Sequence, residues 1–289
     1  MIWTNAVIQG ILLGGLYALF ATGLSLSFGV MRLVNLAHGD LAIFAAFMTL
    51  SISSTLKINP LVALLIVIPA AFVVGYILQR LIFDRVVGVD PAFQIVATFG
   101  LGIVIQNALL EKYTADTQGL NVGTLKTSTI KVNDTIGIGW LPLLTFITAV
   151  VVLGSLALFL KRTKLGRAFR ATSDDADAAR LMGIDIKRVF AVAMALAIAT
   201  VALAGVLFGA RSSFDPFVGP ARLIYAFEAV IIGGLGSLWG TLAGGITLGV
   251  AQTIGRQINP QWGELFGHGV FLAVLVLRPT GMFGKVQSR

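Results

Sequence analysis

The chain has 289 residues, 57% of them hydrophobic and only 12% charged, whereas an ordinary soluble domain carries about 25% charged residues. A soluble core of this size has no use for so much apolar surface, and the lack of cysteine excludes disulfide frameworks, Cys-based zinc sites and iron-sulfur clusters. The net charge of +8 would suit a nucleic-acid binder, but the basic residues gather in one interhelical loop and fix membrane orientation instead.

The apolar residues form continuous blocks near the ~20 residues that cross a bilayer as a helix; a β-barrel would show strictly alternating segments of about ten. An all-α, polytopic integral membrane protein is expected, read as a single transmembrane domain over residues 1 to 289. The candidate spans are Ala6 to Phe28, Leu41 to Leu56, Leu61 to Phe83, Ala92 to Leu110, Trp140 to Leu160, Val189 to Gly209, Leu223 to Gly255 and Glu264 to Leu277. The N-terminus lacks a signal peptide's basic flank and cleavage site, so the mature chain is expected to begin at Met1. The seventh stretch is too long for one span and carries Gly-Gly-Leu-Gly-Ser-Leu-Trp-Gly at Gly233 to Gly240; it reads as two segments joined by a break. Eight or nine crossings follow.

Between the first two spans lies Val34-Asn35-Leu36-Ala37-His38-Gly39-Asp40. Polar and ionisable groups beside glycine, close to a bilayer, line a cavity or pair with each other, and an interrupted helix frees backbone groups to meet a solute. Asn35, His38, Gly39 and Asp40 are therefore candidates for a substrate path. The same residues also suit a local role, with Asn35 and Asp40 capping helices and His38 bonding a backbone carbonyl. His38 and His268 are too far apart in sequence to suggest a metal site, and no metal is expected.

The connection Glu111 to Gly139 reads as an exterior cap, with a small hairpin around Thr127 to Val132. Lys161 to Arg188 holds eight Lys/Arg, which assigns it to the cytoplasm together with Arg80, Arg85, Arg278, Lys285 and Arg289. Its middle reads as one helix from Ser173 to Gly183, capped by Thr172 or Ser173. Asp174, Asp175 and Asp177 occupy the first turn, where the helix dipole favours negative charge. Ala178, Leu181, Met182 and Asp185 share a face, an apolar ridge suited to a groove on a partner; a solvated loop whose charges only set topology explains the same residues.

The turn Arg211-Ser212-Ser213-Phe214-Asp215-Pro216 offers Arg211, Phe214 and Asp215 to an external protein, or is an ordinary loop. Glu228 lies within an apolar run, with His38 or Arg222 as candidate partners; an ionisable residue there points to function. Gly233, Gly234, Gly236 and Ser237 form the second break and join the candidate path, whereas Gly240 and Gly244 suit close helix packing. The Gly29 to Asp40 and Gly233 to Gly240 breaks suggest an internal repeat. No phosphate-binding loop, His-Glu-x-x-His or Gly-x-Ser-x-Gly is present, so no enzyme activity and no cofactor are expected.

Gly166-Arg167-Ala168-Phe169-Arg170-Ala171, followed by Ala178-Ala179-Arg180-Leu181-Met182-Gly183-Ile184-Asp185, resembles the coupling loop of ABC importer permeases. Gly14 to Leu19, Phe28 to Asp40, Glu228 to Ser237 and Arg278-Pro279-Thr280-Gly281-Met282-Phe283-Gly284 resemble the branched-chain amino acid type of these subunits, the H-like one. The resemblance implies a bacterial cytoplasmic membrane, a second related permease subunit, two ATPase subunits that bind the ATP, and an external substrate-binding protein. It also implies contact with an ATPase through Arg167, Arg170, Asp174, Ala178, Ala179, Leu181, Met182 and Gly183. A permease for urea or short amides shares similar motifs. An ion-coupled secondary transporter using Glu228 or Asp40 would need no such loop.

Overall fold

A computed structural model describes residues 2–133 and 136–283. Its elements are α1 (Ile2–Met31), α2 (His38–Leu56), α3 (Pro60–Leu81), α4 (Pro91–Tyr113), β1 (Thr129–Asn133), β2 (Ile136–Gly139), α5 (Trp140–Arg162), α6 (Lys164–Asp174), α7 (Ala176–Leu181), α8 (Ile186–Arg211), α9 (Gly219–Gly233), α10 (Leu238–Ile258) and α11 (Gly263–Leu277). Lys285, Arg289 and Gly284 of the last motif lie outside the described residues.

Six helices, α1 to α5 and α8, are each long and apolar enough to cross a bilayer. The helices α9 and α10 meet at 116°, which is the break expected in the seventh stretch. Gly234 (φ 99°) and Gly236 (φ 79°) turn the chain there, in a region open to glycine at no steric cost, and the Ser237 side chain accepts from Gly240 N to start α10. With the 15-residue α11, nine apolar helices lie among the described residues. Asn59 and Asp90 start α3 and α4 by accepting from Leu61 N and Ala92 N, each ahead of a proline at the first helical position.

The expected hairpin is present, with β1 and β2 antiparallel; it sits over α1, where Gln9 Nε2 donates to Gly137 O at 2.7 Å. At the opposite end, α6 lies beneath the last turns of α1, with α7 packed on α6 and α8. Helices α1 and α10 run antiparallel at glycine distance: a Cβ on Gly14 would meet Ile246 Cα at 2.4 Å, and one on Gly249 would meet Gly10 O at 2.3 Å. Gly240 and Gly244 pack α10 against Gly233 O and Ala229 O of α9, as their spacing suggested.

The internal repeat is real but pairs different segments from those expected. Each half has a long helix (α1, α8), a short return (32–37, 212–218), a helix beginning partway across (α2, α9), and two more helices. The α1–α10 packing has its counterpart in α8 against α3, and α9 against α1 in α2 against α8. The two halves are inverted. Gly23 of α1 lies against His38, where α2 begins, and α2 then rises past Gly205 of α8. α9 begins beside Asp40 and descends until its final turn reaches Gly236, against Gly29 of α1. The Gly233 to Gly240 turn thus has no counterpart in residues 29 to 40; the counterpart of that return is 212–218.

Candidate functional site

Where α2 and α9 begin, their first turns touch: a Cβ on Gly39 would stand 2.0 Å from Gly219 O, and one on Gly219 would stand 2.2 Å from Asp40 Oδ1. Asp40 is 3% exposed. Gln106 of α4 donates to its Oδ1 at 2.9 Å, and Gly102 leaves room for its Oδ2. Glycine is needed at both positions because the carboxylate fills the space a side chain would take. Asp40 sits at the start of two helices, whose dipoles favour negative charge, and Gln106 supplies the side-chain donor it accepts from.

The neighbouring polar residues have local roles. His38 Nε2 bonds Phe20 O at 2.9 Å, and Asn35 Oδ1 accepts from Ala37 N at 3.0 Å, while Asn35 Nδ2 is buried without a partner. Asp40 does not cap α2; its side chain is turned to α4 and α9.

Glu228 is also 3% exposed, and its partner is neither His38 nor Arg222. Its Oε1 bonds His268 Nδ1 of α11, because α9 and α11 descend side by side, while Oε2 is buried and unpaired. Tyr225, one turn earlier on α9, donates to Glu264 Oε1 at 2.7 Å and stacks on His268. Tyr17 of α1 packs on Tyr225 at 5.1 Å and donates to Gln252 Oε1 at 2.6 Å. Arg222 instead lies over the rings of Phe208 and Tyr225. The sequence did carry one sign of this cluster: Glu264 and His268 stand four residues apart, on one face of an otherwise apolar run.

Gly233, Gly234, Gly236 and Ser237 are not beside Asp40. They form the α9–α10 turn at the α7 end, where Gly236 abuts Gly29 and the Ser173 hydroxyl of α6 donates to Gly29 O.

The expected single helix from Ser173 to Gly183 is two. Asp175 interrupts it with extended φ and ψ and caps α7 by accepting from Asp177 N and Ala178 N, both at 2.9 Å. Thr172 and Ser173 are the last turn of α6, so neither caps it. Gly183 (φ 81°) follows the end of α7. Leu181 and Met182 are 89% and 83% exposed, and Arg167, Arg170, Asp174, Ala178 and Asp185 are exposed as well. Ala179 faces inward. A cavity of about 860 Å³ opens beside this helix pair, lined among others by Phe28, Met31, Arg32, Gln94, Asp174 and Arg180.

At the hairpin end, Phe214 is buried, with its ring edge-on to Phe47 at 4.9 Å, because 212–218 turns back into the fold. It offers no landing surface; the exposed aromatic of that turn is Phe217. Asp215 Oδ1 accepts from Phe217 N at 2.8 Å, and Arg211 Nη1 is buried.

Comparison with known proteins finds relatives along nearly the whole chain. The chain is 28% identical to the high-affinity branched-chain amino acid transport system permease protein BraD of Pseudomonas aeruginosa, over 99% of this chain and 97% of that one. It is 25% identical to the permease protein LivH of Escherichia coli, over 96% of this chain and 94% of the other. LivM of Escherichia coli matches at 30% identity over 45% of this chain and 31% of its own. The family model described as "Branched-chain amino acid transport system / permease component" matches residues 6–275, and the chain belongs to that family.

Proposed function

We propose that this chain is the membrane-spanning permease subunit of an ABC importer in a bacterial cytoplasmic membrane, moving branched-chain or similar amino acids inward. The observation that carries the reading is α7: a capped helix presenting Leu181 and Met182 almost fully to solvent, in the most basic loop of the chain. Two large apolar side chains held out on a short, rigid helix suit a groove on a separate protein. In this reading that protein is an ATPase, present in two copies and binding all the ATP, so that the chain itself needs no cofactor and catalyses no reaction. A second, related permease completes the membrane assembly, and an external binding protein delivers the solute.

Inward motion of the ATPases pushes α7 and α6, and Ser173 passes the push to the end of α1 and to the Gly236 turn. Gly233, Gly234 and Ser237 act here as the hinge of the path; the solute passes Glu228 and the Asn35 to Asp40 junction, and Asp40 holds α2 and α9 together while they shift. Uptake into vesicles holding the complete assembly, with ATP enclosed and labelled leucine, isoleucine, valine, short amides and urea outside, tests this. ATP-dependent uptake of the amino acids is expected. Uptake driven by a sodium or proton gradient without ATP would replace the reading with an ion-coupled one.

A further inference from the structure

Three basic side chains gather where α1, α8, α9 and α10 meet toward the hairpin end. Arg211 lies in the last turn of α8, Arg222 in the first turn of α9 and the exposed Arg256 in the last turn of α10. The Arg222 guanidinium stands 4.8 Å from the centre of the Phe208 ring and 5.0 Å from that of Tyr225, and Arg211 follows Phe208 by one turn of α8. Among the described residues none of the three forms an ion pair, and Glu264 accepts from the Tyr225 hydroxyl.

Arg211 Nη1, Arg222 Nε and Gln252 Nε2 are buried without an acceptor, while the Gln252 carbonyl is held by Tyr17. Each such group left unsatisfied destabilises the fold, and like charges in an apolar setting repel. The unsatisfied atoms of these three residues are all donors, two of them on guanidinium groups. A planar carboxylate answers both, since guanidinium binds it through paired hydrogen bonds.

We propose that Arg211, Arg222 and Gln252 form a carboxylate subsite that takes the α-carboxylate of the translocated amino acid; this rests on the importer reading above. The opposite pole lies on the same helix. Arg222, Tyr225 and Glu228 follow one another at three-residue spacing on α9, and the free Oε2 of Glu228 accepts from the ammonium group. A solute without the carboxylate leaves the donors unpaired, and sites built to bond a group reject analogues that lack it by large factors. Amides and urea are therefore poor solutes.

The test uses the complete transporter in phosphatidylcholine nanodiscs, with isovalerate and its uncharged counterpart isovaleramide as probes. Isovalerate is expected to raise the melting temperature and isovaleramide to leave it unchanged. Arg222→Gln and Arg211→Gln should each weaken isovalerate binding by about tenfold or more, with Arg222→Lys recovering part, and the KM for leucine uptake should rise in step. If the arginine variants do not accumulate, Gln252→Glu, which sets a fixed carboxylate among the donors, should abolish isovalerate binding. Equal binding of the two probes, or unchanged affinity in inserted arginine variants, overturns the subsite. So does stabilisation by added phosphatidylglycerol in place of isovalerate, which makes the cluster a lipid site. Wild-type carboxylate binding without amino-acid uptake supports the subsite and removes only the importer reading, whereas normal uptake with no carboxylate discrimination removes only the subsite.

Discussion

Asp40 and Glu228 are both carboxylates inside the apolar body, and each is held by a different device. Asp40 rests on two helix starts and Gln106, so its surroundings are fixed dipoles; Glu228 depends on His268, a side chain 43% exposed. A carboxylate facing lipid at mid-depth costs about 2.5–3.5 kcal/mol on insertion scales, and neither residue faces lipid. Glu228→Gln is expected to insert and assemble normally while impairing uptake, measured as kcat and KM in vesicles; unchanged kinetics would make Glu228 dispensable. Gly219→Val puts a side chain where Asp40 Oδ1 lies and should lower stability in detergent by about 1–3 kcal/mol, whereas Asp40→Asn, of equal size, should leave the protein abundant in membranes. A similar loss from both would remove the steric account of the junction. Both carboxylates were legible in sequence because charge is rare in apolar runs. Their partners were not, because Gln106 and His268 reach them from helices 66 and 40 residues away, and no local pattern encodes such contacts.

At the scale of the element, α7 shows where reading a sequence works and where it stops. Gly183 marked its end correctly, since a left-handed residue there is easiest for glycine; of the expected ridge Ala178, Leu181 and Met182 stand exposed on α7 and its C-cap, whereas Asp185 leaves that face to cap α8 by accepting from Arg188 N. The start was missed because Thr172, Ser173, Asp174 and Asp175 are all competent caps, and only the chain direction after α6 selects Asp175. Met182→Asp is expected to abolish substrate-stimulated ATP hydrolysis without affecting insertion; coupling at the normal ratio would assign the contact to another segment. Sidedness is best read at Asp177, which is exposed, since Ser173 is half-buried and bonded to Gly29. A cysteine at Asp177 should resist an impermeant thiol reagent in intact cells and react once the membrane is opened; ready labelling from outside would reverse the topology.

For the whole molecule, composition and apolar blocks disclosed the membrane fold, and glycine clusters disclosed the breaks. The inversion of the halves stayed hidden. Inverted repeats share a contact pattern and not a residue pattern, so Gly14 against Ile246 corresponds to Ala195 against Gly75 with little in common between the two stretches. This arrangement sets the balance of the transport cycle. Opening to one side loosens one half and tightens the other, so the two end states exchange one set of contacts for a near copy of it, and the difference in free energy between them is small by construction. The resting state is then decided by minor inequalities between the halves. Gly75→Ala thickens the α3–α8 contact, and Gly245→Ala thickens α1–α10. With the transporter labelled for distance measurement by electron resonance, these two substitutions are expected to shift the populations of the two states in opposite directions; displacement in the same direction would mean that the halves do not act as counterweights.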